Sequence, residues 1–260
     1  MYHSMTFIKN DTVEKNTWDD WHLIPTSRPV FNPPNVKTKY VEIPGSDKVI
    51  DLTESLTGYP VYGDREGSLE FIVENGHKEW HEIYSEIMAF LNGYHLKVIL
   101  EDDISHYYEG RFSVNEWKSN KHWSLIVIDY ILNPYKLNVQ TSIEEWKWDP
   151  FNFENGIIQS EYFRGIEVDS DSFVTYSYGI ENLIGRKPVC PIFKISEADS
   201  NGVTIKLYNE ELDISVTKTF YNGSKTDPDF ILSNISSNNS LTIGFKGRGT
   251  VSIEFRSGGL

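Results

Sequence analysis

The chain has 260 residues, of which 39% are hydrophobic, 14% aromatic and 24% charged. This composition is typical of a globular protein and excludes a disordered or fibrous chain. The 38 acidic and 24 basic residues give a net charge of −14. Stable binding to nucleic acid or to an anionic membrane surface is not expected, because an acidic chain cannot displace the counterions of a phosphate backbone.

The distribution of residue types predicts two domains, residues 1–136 and 137–260. All seven histidines precede residue 123, and all seven tryptophans precede residue 149. Six of the 11 prolines fall between residues 25 and 60. The second half instead consists of short apolar runs separated by Asn, Gly, Ser and Asp, so we place the boundary near residues 133–136.

The first half is predicted to combine strands with one helix. The proline-rich segment 24–34 suits a sheet edge or an arm, because proline has no N–H group to donate. Residues 68–74 alternate as a half-buried strand does. A helix is predicted at about 77–92, ended by Asn92 and Gly93. Its apolar stripe is Trp80, Ile83, Tyr84, Ile87, Met88 and Leu91.

Strands are expected to follow that helix and to fill the second half. The three in the first half are at about 96–101, 106–117 and 122–132, and a hairpin turn joins the last two. Those in the second half are at 156–159, 165–168, 173–178, 189–196, 203–208, 213–221, 241–245 and 250–255. This rhythm is typical of a β-sandwich or a jelly roll. The predicted fold class is therefore mainly β.

Patterns that resemble metal sites are weak. His77 and His81 are four residues apart, but Lys78 stands where a zincin motif requires Glu, and no third ligand can be identified. We interpret the two histidines as polar residues at the start of the helix. The acidic clusters 101–103 and 169–171 are interpreted as solvated turns. No metal and no cofactor is predicted.

Catalytic motifs are also missing from the sequence. There is no nucleophile elbow, no P-loop and no dinucleotide-binding fingerprint. Cys190 is the only cysteine, so no disulfide can form within the chain, and its apolar neighbours favour a packed residue over a nucleophile. A glycoside hydrolase would need a pair of carboxylates, and no spacing selects one. We expect a protein that is not an enzyme.

Four aromatic residues alternate between positions 146 and 153, and two interpretations of them stay open. In an extended segment, alternate side chains share one face. That face would either stack against sugar rings or form an apolar seam between domains or subunits, and we prefer the seam. The residues are Trp146, Trp148, Phe151 and Phe153.

Several segments resemble, in the same order, the distal tail proteins (Dit) of bacteriophages that infect Gram-positive bacteria. They are residues 16–29, 41–45, 51–58, 62–68, 108–112 and 133–136. The resemblance covers about residues 16–136. The second half is similar only in the rhythm of its strands and in its final strand.

This resemblance implies a structural role in a phage or prophage tail, or in a tail-like bacteriocin. Family members form a hexameric ring at the tip of a non-contractile tail, where the baseplate meets the host. The N-terminal domain, a β-sandwich with a helix, builds the ring and continues the tail tube. The ring also docks a tail-associated fibre or lysin protein. The C-terminal domain is a galectin-like β-sandwich.

The resemblance also suggests where subunits meet. The ring-interface candidates, each of which could equally be core packing, are Trp18, Trp21, Arg28, Pro29 and Arg65. The alternative function is a carbohydrate-binding module that recognises a host-surface saccharide through the C-terminal sandwich.

Localisation follows from the same expectations. The first residues do not show the basic segment followed by an apolar segment that makes up a signal peptide. Apolar runs such as 125–128 are far too short to span a membrane. We therefore expect a virion tail-tip protein that is made in the host cytoplasm and is not exported by a signal peptide.

Overall fold

The computed structural model describes residues 3–74, 80–119, 123–144, 163–179, 187–209, 214–232 and 240–260. The chain divides into two compact units, Met1–Val139 with Leu260, and Gln140–Gly259. Both units consist mainly of strands, and the described residues contain one α-helix. The predicted fold class, mainly β with one helix in the first half, is confirmed.

The first unit is built on a curled antiparallel sheet. Its order is β2-β1-β7-β8-β9-β6-β3, and β10 also pairs with β8. Strands β4 and β5 form a separate two-stranded sheet. The elements are β1 Met5–Lys9, β2 Val13–Asn16, β3 Leu23–Pro25, β4 Tyr40–Glu42, β5 Val49–Asp51, β6 Arg65–Val73, α1 Trp80–Leu91, β7 His95–Leu100, β8 Asp103–Ser119, β9 Ser124–Leu132 and β10 Lys136–Asn138.

The core of the first unit lies between the sheet and α1. Alternate residues of β6 and β9 point into it, and Phe71 and Ile126 are fully buried. The ring of Phe7 meets that of Phe112 edge to face at 4.9 Å. Such aromatic pairs stabilise a core beyond the area they bury.

Helix α1 matches the predicted apolar stripe and adds one residue to it. Trp80, Ile87 and Leu91 are buried as expected, and Phe90 joins them. The Asn92 N–H donates to the Met88 carbonyl oxygen, and Gly93 takes a φ of 84°, as the predicted helix end requires. Positions 77–79 of the predicted helix lie outside the described residues.

The second unit is organised around one long strand, β16. The sheet order is β14-β13-β16-β12-β15, and β11 also pairs with β16. The first part of β16 pairs with β13 and its last part with β12. The strands are β11 Ile166–Gly179, β12 Ile192–Ser196, β13 Val203–Asn209, β14 Ile214–Phe220, β15 Gly223–Thr226, β16 Ser240–Glu254 and β17 Gly258–Gly259.

Two predicted breaks in this unit are wrong. Strand β16 runs through the expected gap between 245 and 250, because Gly247 and Gly249 bend the backbone at φ values of 115° and 147° without leaving the ladder. Strand β11 likewise absorbs the predicted turn at 169–171 as a shift of register between Ser170 and Val174. The predicted strand 156–159 lies outside the described residues.

Gly110 provides a test of the first unit's packing. It pairs with Leu96 on one side and with Leu132 on the other. A Cβ atom here would collide with the Ile131 carbonyl oxygen and lie 2.7 Å from the Leu132 Cα. We expect Gly110→Ala to lower the free energy of unfolding by at least about 1–3 kcal/mol. The atoms that the new Cβ would meet belong to the backbone and cannot rotate away.

Urea unfolding of the purified chain measures this loss. Gly63→Ala is the matched control, because the nearest atom to its added Cβ is 3.6 Å away. Equal stability of the two variants would contradict the close approach of β8 and β9.

Candidate assembly arm and its anchor

Residues 36–62 leave the main sheet of the first unit as a hairpin, which we call the arm. Strands β4 and β5 pair at Tyr40 with Asp51, Val41 with Ile50 and Glu42 with Val49. A bridge between Val36 and Tyr62 closes the base of the hairpin. The arm is therefore a distinct β-ribbon attached at one end.

The arm is built by turn residues at its tip and near its return to the sheet. Gly45, at the tip, has a φ of 78°, and the Ser46 N–H donates to the Ile43 carbonyl oxygen. After β5, the Thr53 N–H donates to Asp51 Oδ1 at 2.9 Å. Hydrogen bonds from Thr53 hold the pKa of the Asp51 carboxyl below its usual value. These local hydrogen bonds shape the turns of the ribbon. They are polar contacts, so they do not supply a hydrophobic core.

Most apolar side chains of the arm are exposed. Leu56 is 97% exposed, and seven others are between 39% and 56%. They are Val36, Tyr40, Val41, Ile43, Val49, Ile50 and Leu52. A two-stranded ribbon is at best marginally stable alone in water. Clustered exposed apolar residues mark surfaces that bind another molecule.

Arg65 anchors the arm at its base. It follows the arm directly, is only 4% exposed, and lies over the Tyr108 ring at 5.5 Å. Its Nη1 donates to the Asn32 carbonyl oxygen at 2.9 Å, and its Nε donates to the Pro134 carbonyl oxygen at 2.8 Å. Burial lowers the pKa of Arg65, yet a guanidinium keeps its charge.

Asn32, just before the arm, completes this anchor. Its N–H donates to the Tyr130 hydroxyl at 2.9 Å, and its Nδ2 donates to the Glu66 carbonyl oxygen at 2.8 Å. Gly67 permits this approach, since a Cβ there would lie 2.7 Å from Asn32 Nδ2. Both ends of the arm are thus fixed to the sheet while its apolar surface faces solvent.

The acidic residues 101–103 lie where β7 turns into β8, as interpreted, and two of them also form ion pairs. Asp102 lies 2.8 Å from Arg28 Nε and 2.9 Å from His3 Nδ1. Asp103 lies 2.7 Å from His106 Nδ1 and 2.6 Å from Lys136 Nζ. Most of these partners are distant in sequence, so no local pattern reveals them.

The five ring-interface candidates divide between interior and surface. Trp21 is fully buried, and its ring meets that of Phe90 at 5.6 Å. Pro29 and Arg65 are also buried, which favours core packing for these three. Trp18 is half-buried and Arg28 is exposed. A role at an interface stays a prediction.

The other singled-out residues do not form a site in the described parts of the chain. Trp146, Trp148, Phe151 and Phe153 lie outside the described residues, as does His77. His81 is exposed and stacks against Trp117. Cys190 is exposed, so its prediction as a packed residue is wrong. No group of metal-binding side chains occurs among the described residues.

The sequence predicts an extended segment at 24–34 and does not predict the arm. Its signal is present in the apolar residues Val41 and Ile43 before a Pro-Gly turn at 44–45 and in Val49 and Ile50 after it. Strands of three residues are too short to show the period of a strand in the sequence.

Comparisons with known proteins identify the fold. No protein-family model and no curated protein sequence matches the chain. Its structure is similar to the crystal structure of the SPP1 Dit protein, described as a paradigm of the hub adsorption apparatus in phages that infect Gram-positive bacteria. The TM-score is 0.59 at 12% sequence identity, over 98% of this chain and 99% of that one. The chain therefore has a Dit-like, two-domain β fold.

Within the described ranges, no helix is long and apolar enough to cross a membrane.

The anchor can be tested with matched arginine variants. We expect Arg65→Met to lower the free energy of unfolding by roughly 2–4 kcal/mol, because it removes two charge-assisted hydrogen bonds, to the Asn32 and Pro134 carbonyl oxygens. Arg28→Met should cost under about 1 kcal/mol, since its ion pair is on the surface. Urea unfolding distinguishes the two, and equal losses would contradict the anchor.

Asp103 predicts a dependence of stability on pH. Burial alone would raise the pKa of its carboxyl, but hydrogen bonds from Lys136 and His106 outweigh burial and lower the pKa. A lowered carboxyl pKa stabilises the fold above the unfolded pKa and ceases to do so as the pH falls through the folded pKa. Asp103→Asn should therefore be less stable than the unmodified chain, by about 1 kcal/mol, at pH 7.

The difference should shrink below about pH 4, where the unmodified carboxyl becomes protonated. Urea midpoints at pH 7, 5 and 3 measure this trend. A difference of the same size at pH 3 and pH 7 would contradict the assigned ion pairs.

Proposed function

We propose that this chain is a structural hub of a phage-type tail and forms a ring of six copies at the distal end. In that role it joins the tail tube to a tail-associated fibre or lysin protein and belongs to the virion tail tip. The observation that carries the proposal is the arm: an anchored ribbon with an uncovered apolar surface, on a chain with a Dit-like fold.

The similarity of fold supports a tail role. It extends over 98% of this chain and 99% of the SPP1 Dit protein, so it includes both units. That protein is described as part of a hub adsorption apparatus. We extend a hub role to this chain as a structural protein, not an enzyme.

The arm supports assembly with copies of the same chain. In a closed ring, each copy contacts the next through two different surfaces, one donated and one received. The arm suits the donated surface, because Arg65 and Asn32 fix its direction while Val41 and Ile50 stay exposed. A stable contact needs at least about 1,000 Å² of buried surface, and a ribbon laid across a neighbour adds area without unfolding either copy.

The two halves take different roles in this proposal. The N-terminal domain, residues 1–136, builds the ring and contacts the tail tube and the fibre or lysin. The C-terminal domain, residues 137–260, is free for contacts outside the ring.

Arm variants test ring formation. Val41 and Ile50 are directly paired, so their side chains share one face of the ribbon. Serine at both positions should weaken each subunit contact at least tenfold, because burial of one aliphatic side chain contributes about 1.5–3 kcal/mol. Light scattering should show the mass falling from that of six copies towards 30.0 kDa.

The control is Val13→Ser on the edge strand β2, which removes an apolar side chain that is 48% exposed. Circular dichroism should show both variants folded, and the control should keep the assembled mass. Rings of full mass in the double variant would contradict the role of the arm.

A further inference from the structure

We propose that the arm of one copy docks on the outer face of the main sheet in the next copy, where β6 and β9 lie side by side. This inference rests on the proposed function and names the surface that receives the arm. The occupant of that surface is therefore a second copy of this chain, held by apolar contacts and by pairs of opposite charge.

The two faces of the arm differ in charge. Because Val41 pairs with Ile50 and strand residues alternate, the residues two positions away share their face. We call this surface the cationic face, and it consists of Lys39, Val41, Ile43, Lys48, Ile50 and Leu52. These six positions combine four aliphatic side chains with two lysines and include no carboxylate. The opposite face of the ribbon instead carries Glu42 and Asp51.

Strands β6 and β9 present apolar side chains and carboxylates on the side of the sheet away from the core. Ile126 and Ile128 of β9 point into the core, so the residues that alternate with them face outward. We call this outward surface the receiving face, and it consists of Glu66, Ser68, Glu70, Ile72, Leu125, Val127, Asp129 and Ile131. Ile72 is 38% exposed and Ile131 is 52% exposed. The receiving face thus leaves apolar surface uncovered.

Charged groups on both surfaces have no partner within the described parts of the chain. Glu66, Glu70 and Asp129 of the receiving face form no ion pair there. Lys39 and Lys48 of the cationic face form none there either, and both are exposed. The charges of one copy are therefore available to those of the next, and opposite charges on facing surfaces favour association in one orientation.

The two surfaces also match in size. Lys39 and Lys48 lie at opposite ends of the cationic face, four strand residues apart, which is about 13–14 Å. Glu66 and Glu70 are four residues apart on β6, so their separation is about the same. Both surfaces are two antiparallel strands wide, and such layers pack face to face at about 10 Å. Each lysine can then meet a carboxylate while the aliphatic side chains cover the apolar residues of β9.

The charges of other surfaces disfavour the cationic face. Strand β8, on the far side of β9, places Arg111 and Lys118 on the same side of the sheet, so the arm is directed towards β6. A second exposed apolar surface lies in the second unit, where Phe173 is 40% exposed. Lys206 and Lys246 share that side of its sheet. Like charges repel, so neither place suits the two lysines of the arm.

The test uses two variants of the intact chain with opposite changes. One carries Glu66→Lys and Glu70→Lys on the receiving face, and the other carries Lys39→Glu and Lys48→Glu on the arm. Each variant alone should associate at least tenfold more weakly than the unmodified chain, because like charges then meet. An equimolar mixture should regain the affinity, because every contact between unlike variants joins opposite charges. Sedimentation equilibrium measures these affinities, and circular dichroism checks that each variant is folded.

The control carries Glu14→Lys and Glu82→Lys, which make the same change of charge at exposed positions outside the receiving face and should keep the unmodified affinity. Full-mass rings from the folded receiving-face variant would overturn the docking surface and leave the proposed ring intact. If that variant does not fold, the arm variant replaces it, and unchanged affinity there would overturn the docking surface in the same way. Single copies alone from the unmodified chain would overturn both the docking surface and the ring.

Discussion

The buried guanidinium of Arg65 is the interaction on which the proposed assembly depends. Its hydrogen bonds to Asn32 and Pro134 fix the chain before the arm to the chain after it and to the end of β9. Burial of the charge is costly, and these two bonds offset only part of that cost, because Nη2 is buried without a hydrogen-bond partner among the described residues. The result is a ribbon with a defined direction, and a defined direction reduces the conformational entropy that binding to a neighbour must overcome.

The fold of the second unit depends on glycines in β16. Gly247 and Gly249 let one strand pair first with β13 and then with β12, so a single sheet curls around the core that contains Phe193 and Phe245. Gly244, in the same strand, has an ordinary backbone conformation and instead lets the Phe173 ring approach the sheet, to 3.2 Å from where a Cβ would lie. The curvature and this close contact thus arise from different glycines of one strand.

Sequence patterns predict the elements in which apolar side chains recur with a regular period. That period must extend over at least two turns of a helix or over several residues of a strand. Helix α1 and strands such as β6 and β9 belong to this class. The arm was missed because its strands have three residues each. The ion pairs of Asp102 and the burial of Arg65 depend on residues 33 to 99 positions away, and no local period reports such contacts. The continuity of β11 and β16 is not predicted, because the Asp, Ser and Gly residues at a bulge or a bend within a strand are also the residues typical of turns.

The most direct test of the proposed ring is an electron-microscopy map of the largest species that the intact chain forms in concentrated solution. We expect a closed six-fold ring in which residues 40–51 of each copy lie against the next copy. Single copies alone, or a ring whose arms project into solvent, would contradict it.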